Sequence, residues 1–435
     1  MCENGSMTLN FYTFLLYLLL PFTPLKLLWR ANKQPEYLEH WRERYGFYSL
    51  LTSKPIIWLH CVSVGETRAA APLIKALLQQ YPNHQILLTH TTPTGRATSE
   101  QLFESQSVES RVQRVYLPYD IPFAVARFLE YFKPVIGVLL ETELWFNLIA
   151  ACKQKNIPLL LVNARLSEKS AGGYAKLGRL VSEGMQSLSA IAAQTEQDAI
   201  RLKQLGAKNV AVAGNLKFDV VPPKDAVERG KDLRRLFGAH RPVFLAASTR
   251  EGEEAIILDA IFAAQIPNLL TIIVPRHPQR FNEVEALLQG RHLPYQKRSM
   301  LNPELDQTVD MNIQFILGDS MGELFTYYAS ADFCLVGGSV LPYGGQNLIE
   351  AMRMGKPVLI GEHTFNFKEV SDLAEARCAA WRVKSVQEMT NAIQTLVENP
   401  QKQVEMGTNG LALCKKSQGA TQKTLAMISA AFKPH

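Results

Sequence analysis

From Ile56 onward, short apolar runs alternate with longer stretches of mixed character. The runs IIWLHCVSV, QILLTH, RVYLP, VIGVLL, IPLLLVNA, AIAAQ and NVAVAGN are nearly continuous in apolar residues. A strand that is apolar at every position is buried on both faces, as in a parallel sheet covered by helices on each side. Between them lie stretches such as ETRAAAPLIKALLQQY and ELWFNLIAACKQKN, which predict helices. The rhythm stops after Asp219. VVPPKDAVERGKDLRRLFGAHRP is rich in charge and proline and carries no strand signal, so it predicts a linker over 220–240. The rhythm resumes with VFLAAST, LLTIIVPRH, FILGDS, DFCLVGG and KPVLIG. The pattern predicts an α/β chain of two Rossmann-like domains, 31–219 and 241–415, facing across a cleft, with a helix over 416–435. In open α/β sheets ligands bind beyond the C-terminal strand ends, so polar residues there are the candidates for chemistry.

Ahead of this pattern, no charged residue occurs from Asn4 to Leu25, and LNFYTFLLYLLLPF is almost wholly apolar. A spanning helix needs about 20 such residues, so residues 1–30 predict a membrane anchor. A secretory signal is excluded by the missing basic start and missing small-residue cleavage site. Lys26, Arg30, Lys33, Arg42 and Arg44 all follow the run, which puts the remainder on the cytoplasmic side. Spanning is the first expectation; Pro21 and Pro24 weaken the helix and leave a seat in the membrane interface as the alternative, with a soluble core helix third. Behind it, EYLEHWRERYGFY predicts a short amphipathic helix.

Composition narrows the partners. The formal charge of +6 is mild, and basic residues alternate with acidic ones, which argues against nucleic acid and leaves a membrane surface open. Cys2, Cys61, Cys152, Cys334, Cys378 and Cys414 are scattered without a C-x-x-C pair, so neither zinc nor a disulfide framework is expected.

In the second half, a strand runs into Gly337-Gly338-Ser339, and Gly344-Gly345 leads toward a helix starting near Gln346-Asn347. Glycines admit a phosphate closely and helix amides bind it. Glu350, one turn in, either accepts from ribose hydroxyls or merely suits the helix dipole. The absence of G-x-G-x-x-G argues against NAD or FAD. Arg276 and His277 follow a strand, and Arg276 suits a phosphate or a sugar carboxylate. Asp319-Ser320 predicts a cap for a helix with Met321, Gly322 and Glu323 in its first turn.

In the first half, Glu66 stands in the strand–turn–helix where a nucleotide-binding protein carries glycines. It would repel a phosphate; at a helix N-terminus it is expected to stay ionised, ready to accept a proton. Glu141 and Glu143, with Asn147 behind them, mark a second strand end. Asn163 with Arg165, and Lys217, mark two more. THTTPTGRAT either caps a helix or touches a ligand. No Asp-x-Asp closes a strand, so no metal is expected, and leaving-group charge falls to Arg276, Lys217 and helix dipoles.

The anchor together with VSVGE, TPTG, ETELW, NARLS, GNLKFD, VPRHP, GDSMGEL, GGQN followed by EA, and HTFNF resembles the 3-deoxy-D-manno-octulosonic acid (Kdo) transferases of lipopolysaccharide synthesis, over nearly the whole chain. The resemblance implies the two-Rossmann GT-B fold and metal-independent, inverting transfer of Kdo from CMP-Kdo to a lipid A precursor, lipid IVA, at the cytoplasmic side of the inner membrane. It implies Glu66 as general base and Glu141 and Lys217 as transition-state stabilisers. It also implies a CMP-binding set of Arg276, His277, Met321, Gly322, Glu323, Asn347, Leu348, Ile349 and Glu350. Phe146 departs from the family's usual proline, which puts the local helix start in question, and Met7 is a second candidate start. The rival expectations are a GT-B sugar-nucleotide epimerase and a membrane-tethered nucleotide-binding protein without catalysis.

Overall fold

The structure, a computed structural model, describes residues 7–32, 34–50, 54–103, 111–302 and 308–432. Two compact units divide the chain: residues 1–220 with 417–435, and residues 221–416.

The first unit is built on a parallel sheet of β1 (Ile56–His60), β2 (Gln85–His90), β3 (Val112–Tyr116), β4 (Ile136–Leu140), β5 (Leu159–Ala164), β6 (Ala190–Ala193) and β7 (Val210–Val212). Each predicted apolar run holds one of these strands. Their spatial order is β3-β2-β1-β4-β5-β6-β7. The order reverses at β1, so the loops after β1 and β4 emerge side by side at the switch point, where such sheets bind ligands. Alternate residues feed two apolar clusters: Ile56 and Trp58 one, Ile57 and Leu59 the other. Trp58 lies beside Gly137 in register. A Cβ at Gly137 would stand 2.6 Å from the Trp58 ring, so this central position of β4 admits only glycine.

The second unit repeats the plan with β8 (Val243–Thr249), β9 (Leu270–Pro275), β10 (Tyr295–Lys297), β11 (Phe315–Leu317), β12 (Phe333–Val336), β13 (Val358–Ile360) and β14 (Ala380–Arg382), ordered β10-β11-β9-β8-β12-β13-β14. The edge strands β10 and β14 were not predicted, because YQK and AWR form no apolar run.

The predicted linker is corrected: Lys224–Phe237 is a helix of the second unit. Its buried Ala226, Gly230, Leu233 and Phe237 recur at helical spacing beneath a charged outer face. The C-terminal helix Ala420–Ala431 belongs to the first unit, where Ala420, Leu425 and Ile428 enter the same apolar cluster as Ile57.

At the N-terminus, the helices Leu9–Leu19 and Thr23–Ala31 join through a 3-10 turn at Pro21. The stretch is long and apolar enough to cross a membrane. One side of it, however, is bound to the first unit. Tyr12 donates to the Asp120 carboxylate at 2.9 Å, Thr13 donates to Asn147 Oδ1 at 2.8 Å, and Thr23 Oγ1 lies 2.8 Å from Tyr45 Oη. Phe11, Phe14, Leu18, Phe22, Leu25 and Trp29 are exposed instead. The amphipathic helix expected next is corrected to two 3-10 turns, Pro35–Leu38 and Trp41–Tyr45, broken by left-handed backbone at His40 and Gly46. Despite the missing proline, a helix does start at Phe146, whose buried ring meets Tyr12 edge-on at 5.4 Å.

Tyr12→Phe is expected to destabilise the protein by roughly 1.5–3 kcal/mol, the worth of a hydrogen bond to a charged group, measured by chemical denaturation in detergent. Leu18→Gln should leave stability unchanged while weakening association with vesicles. Equal destabilisation by both would mean that the Leu18 face is packed on the protein.

Candidate active site

Ser63 caps the helix Val64–Gln80; Ser63-Val64-Gly65-Glu66 has the spacing of a capping box, but the Glu66 carboxylate reaches one residue further back, to Val62 N–H. Glu66 N–H donates to Ser63 Oγ at 3.3 Å, Ser63 Oγ–H donates to Glu66 Oε1 at 2.9 Å, and Val62 N–H donates to Oε2 at 2.8 Å. Only 8% of Glu66 is exposed. The expectation that the helix terminus keeps this carboxylate ionised is corrected. Burial, and next the charge of Glu141, raise its pKa from 4.5 to about 7, against the pull of the Val62 and Ser63 bonds. Capping explains the two bonds; it does not explain a second carboxylate beside a buried one.

Glu141 ends β4 with left-handed backbone at φ 56°. Its Oε1 is 3.1 Å from Lys217 Nζ, with side chains 23% and 15% exposed. Lys217 rides on a 3-10 turn, Leu216–Asp219, and its N–H donates to Asn215 Oδ1 at 2.9 Å. Glu143 is raised by burial and, in smaller part, by Glu141. The first unit therefore gathers Glu66, Glu141, Glu143 and Lys217. Other expected residues make hydrogen bonds within the first unit. Asn147 accepts from Thr13 and donates to Asp120 O at 2.7 Å. Thr92 caps the helix Pro93–Leu102 and donates to Val62 O at 3.0 Å. Arg165 O accepts from Thr142 Oγ1 at 2.7 Å.

In the second unit, Arg276 N–H donates to Thr249 O at 3.0 Å and its Nε donates to Gln346 Oε1 at 3.2 Å. His277 Nε2 lies 3.3 Å from Arg250 Nη1. Burial, then Arg250, Arg276 and Arg280, hold the imidazole below its ordinary pKa. Arg280 is neutralised by the buried Glu254 at 2.7 Å. Cations massed at one strand end suit an anionic ligand.

Two further expectations are corrected here. Met321, Gly322 and Glu323 do not form a first turn: the helix is Leu324–Ser330, and Gly322 at φ 81° breaks the chain ahead of it. Asp319 accepts from Ser299 N and Oγ instead of capping, and Glu323 accepts from Arg298 Nη2 at 2.9 Å. The first glycine pair is not an open phosphate cradle. The amides of Gly338 and Val340 donate to the fully buried carboxylate of Glu253 at 2.6 and 2.9 Å. Sequence reasoning missed Glu253; its signal was the acid pair opening a helix just after the strand VFLAAST.

Gly344 and Gly345, both at positive φ, precede a short helix that starts only at Ile349. The side chains of Leu348 and Ile349 are core residues, so either can offer a ligand only its backbone. Asn347 Nδ2 donates to Glu350 Oε1 at 3.1 Å. Among the described residues, no three His, Cys, Asp or Glu side chains converge as a metal site.

Two parallel Rossmann-like units in one chain define a GT-B-like protein. The UDP-GlcNAc 2-epimerase of Neisseria meningitidis, solved bound to UDP-GlcNAc, shares this fold: TM-score 0.58, 17% identity, 86% of this chain and 100% of that one covered. Sequence narrows the class. The family model described as 3-deoxy-D-manno-octulosonic-acid transferase (kdotransferase) matches residues 39–220. The 3-deoxy-D-manno-octulosonic acid transferase of Bordetella pertussis is 40% identical over 414 residues, covering 92% of this chain and 95% of its own. That of Haemophilus influenzae is 36% identical over 425 residues, covering 96% and 97%. The chain belongs to the Kdo transferase family, and it is thereby a glycosyltransferase.

Because the folded state raises the Glu66 pKa from 4.5 to about 7, it holds the proton more tightly than the unfolded chain does. This group's contribution to stability therefore falls as pH rises across that window. Glu66→Gln, which keeps the shape, should melt higher than wild type above pH 7 and equally below pH 4.5. A constant difference across pH would contradict the raised pKa.

Proposed function

We propose that this protein transfers Kdo from CMP-Kdo to lipid IVA, inverting the anomeric centre without a metal. The observation that carries the reading is the buried Glu66, titrating near neutral pH beside the Glu141–Lys217 ion pair. A general base works best when its pKa lies near the operating pH. In the proposed step, an acceptor hydroxyl gives its proton to Glu66 as its oxygen bonds to the anomeric carbon of Kdo. The bond from that carbon to the phosphate oxygen breaks, and its electron pair leaves with CMP. Glu141 opposes the positive charge that develops on the sugar, while Lys217, 3.1 Å away, orients it. Arg276 and His277 serve the phosphate of the leaving CMP. Met321, Gly322, Glu323, Asn347 and Glu350 complete the nucleotide set, with Leu348 and Ile349 contributing through backbone alone.

The N-terminal helix supports a seat in the plane of the membrane interface: one side is bound to the first unit and the other is a row of exposed apolar side chains. Lys26 and Arg30, at its far end, match the anionic cytoplasmic face of the inner membrane. An epimerase would need neither this helix nor a lipid acceptor.

Full-length protein incubated with CMP-Kdo is expected to release CMP only when lipid IVA is present, with a Kdo-bearing lipid detected by mass spectrometry. CMP release independent of lipid, or none with it, would overturn the reading. Glu66→Gln should lower turnover by roughly 10²–10⁴-fold, the worth of a general base, without changing CMP affinity in calorimetry. EDTA should leave the initial rate unchanged; a loss restored by Mg²⁺ would contradict the metal-free charge balance.

A further inference from the structure

The 3-10 turn Leu216–Asp219 that carries Lys217 is only four residues long. So short a turn cannot by itself fix a long ammonium arm against a partner on another strand. A closed set of side-chain bonds surrounds it. Asn163 Oδ1 accepts from Leu216 N at 3.0 Å, and Asn215 Oδ1 accepts from Lys217 N at 2.9 Å. Asn215 Nδ2 donates to Gln194 Oε1 at 2.9 Å, and Gln194 Nε2 donates to Asn163 O at 2.9 Å. Asn163 lies near the end of β5, Gln194 directly follows β6 and Asn215 comes shortly after β7, and all three are buried. At the other end of the turn, the Asp219 carboxylate accepts from Gly419 N at 2.8 Å and from Thr421 N, capping the helix Ala420–Ala431. That helix shares an apolar cluster with Val64–Gln80, the helix whose first turn holds Glu66.

Satisfying backbone groups would explain some of these bonds, but two features run against stability as their purpose. Asn163 adopts left-handed backbone at φ 52°, and its Nδ2 is buried without a hydrogen-bond partner. Both cost free energy, and the adjacent strand end at Glu141 carries the same left-handed twist. Linked polar side chains fix one another's geometry, and here Asn163, Gln194 and Asn215 are so linked, with Asn163 Nδ2 alone standing outside the bonds.

We infer that Asn163, Gln194, Asn215 and Asp219 are positioning residues, which hold the Lys217 ammonium against Glu141 through the Leu216–Asp219 turn and the C-terminal helix. The inference rests on the proposed role of Lys217. It has a consequence for Glu66. The charged or titratable groups facing Glu66 are Glu141, Glu143 and Cys61, and Lys217 offsets the first of them. If the turn relaxes, the charge of Glu141 acts unopposed and Glu66 keeps its proton to higher pH.

The test compares full-length Asn215→Ala, Asp219→Asn and Lys217→Ala with wild type, assayed with CMP-Kdo and lipid IVA below the melting temperature of each. For the two frame variants kcat is expected to fall roughly 10- to 100-fold, the scale of a small misplacement. KM for CMP-Kdo should stay unchanged, and the acid limb of the pH–rate profile should move to higher pH. Should Asn215→Ala not fold, Asp219→Asn carries the test alone, since it retains an accepting oxygen for the helix. Frame variants that melt lower yet keep wild-type kcat and pH profile, beside a crippled Lys217→Ala, overturn the frame and leave the proposed reaction standing. Near-normal turnover by Lys217→Ala overturns the role of Lys217, and the frame with it.

Discussion

Taking a carboxylate out of water beside a second carboxylate is the constraint around which the first unit is organised. Burial alone disfavours the ionised form, and a neighbouring negative charge disfavours it further. Glu66 experiences both, and only two hydrogen bonds pull the other way. The arrangement follows from topology. Because the strand order reverses at β1, the segments after β1 and β4 emerge together, and Glu66, Glu141 and Glu143 are the acids those segments carry. Lys217, from beyond the far edge of the sheet, makes the cluster tolerable by pairing with Glu141. A site that needs a base near neutrality and a fixed charge beside it obtains both from this crowding.

The second unit meets the opposite problem. Its strand ends gather the cations Arg250 and Arg276 beside His277, whose imidazole burial and these arginines hold below its ordinary pKa. One set of amides is already occupied from inside by Glu253, whose carboxylate binds Gly338 and Val340. An internal anion shapes the glycine loop. The second glycine pair is held differently: Asn366 N–H donates to Gly344 O at 2.8 Å.

The strands of the first unit were legible because parallel strands buried on both faces are written as unbroken apolar runs. Three-residue edge strands such as β10 and β14 bury little, so their sequences carry little signal. The helix Lys224–Phe237 was hidden by the charge of its outer face, although its buried residues keep helical spacing. Glu66, Glu141 and Lys217 were legible as polar residues at strand ends, and the resemblance to a family sharpened their roles. The raised pKa of Glu66 was not, because it depends on burial and on a neighbour 75 positions away in sequence, the interval from 66 to 141. Glu253 stayed hidden for a similar reason. An acid in the first turn of a helix looks like a dipole partner until the glycine loop it holds, 85 residues on, is seen against it.

Glu66 exchanges its proton near neutral pH because burial and, next, the charge of Glu141 oppose its ionisation. Infrared difference titration of the carboxyl stretch, assigned by subtracting the Glu66→Gln protein, measures this directly in the full-length chain. The expected midpoint lies near 7, moving downward when Glu141→Gln removes the neighbouring charge. A midpoint at the ordinary value of 4.5, insensitive to Glu141, would contradict it.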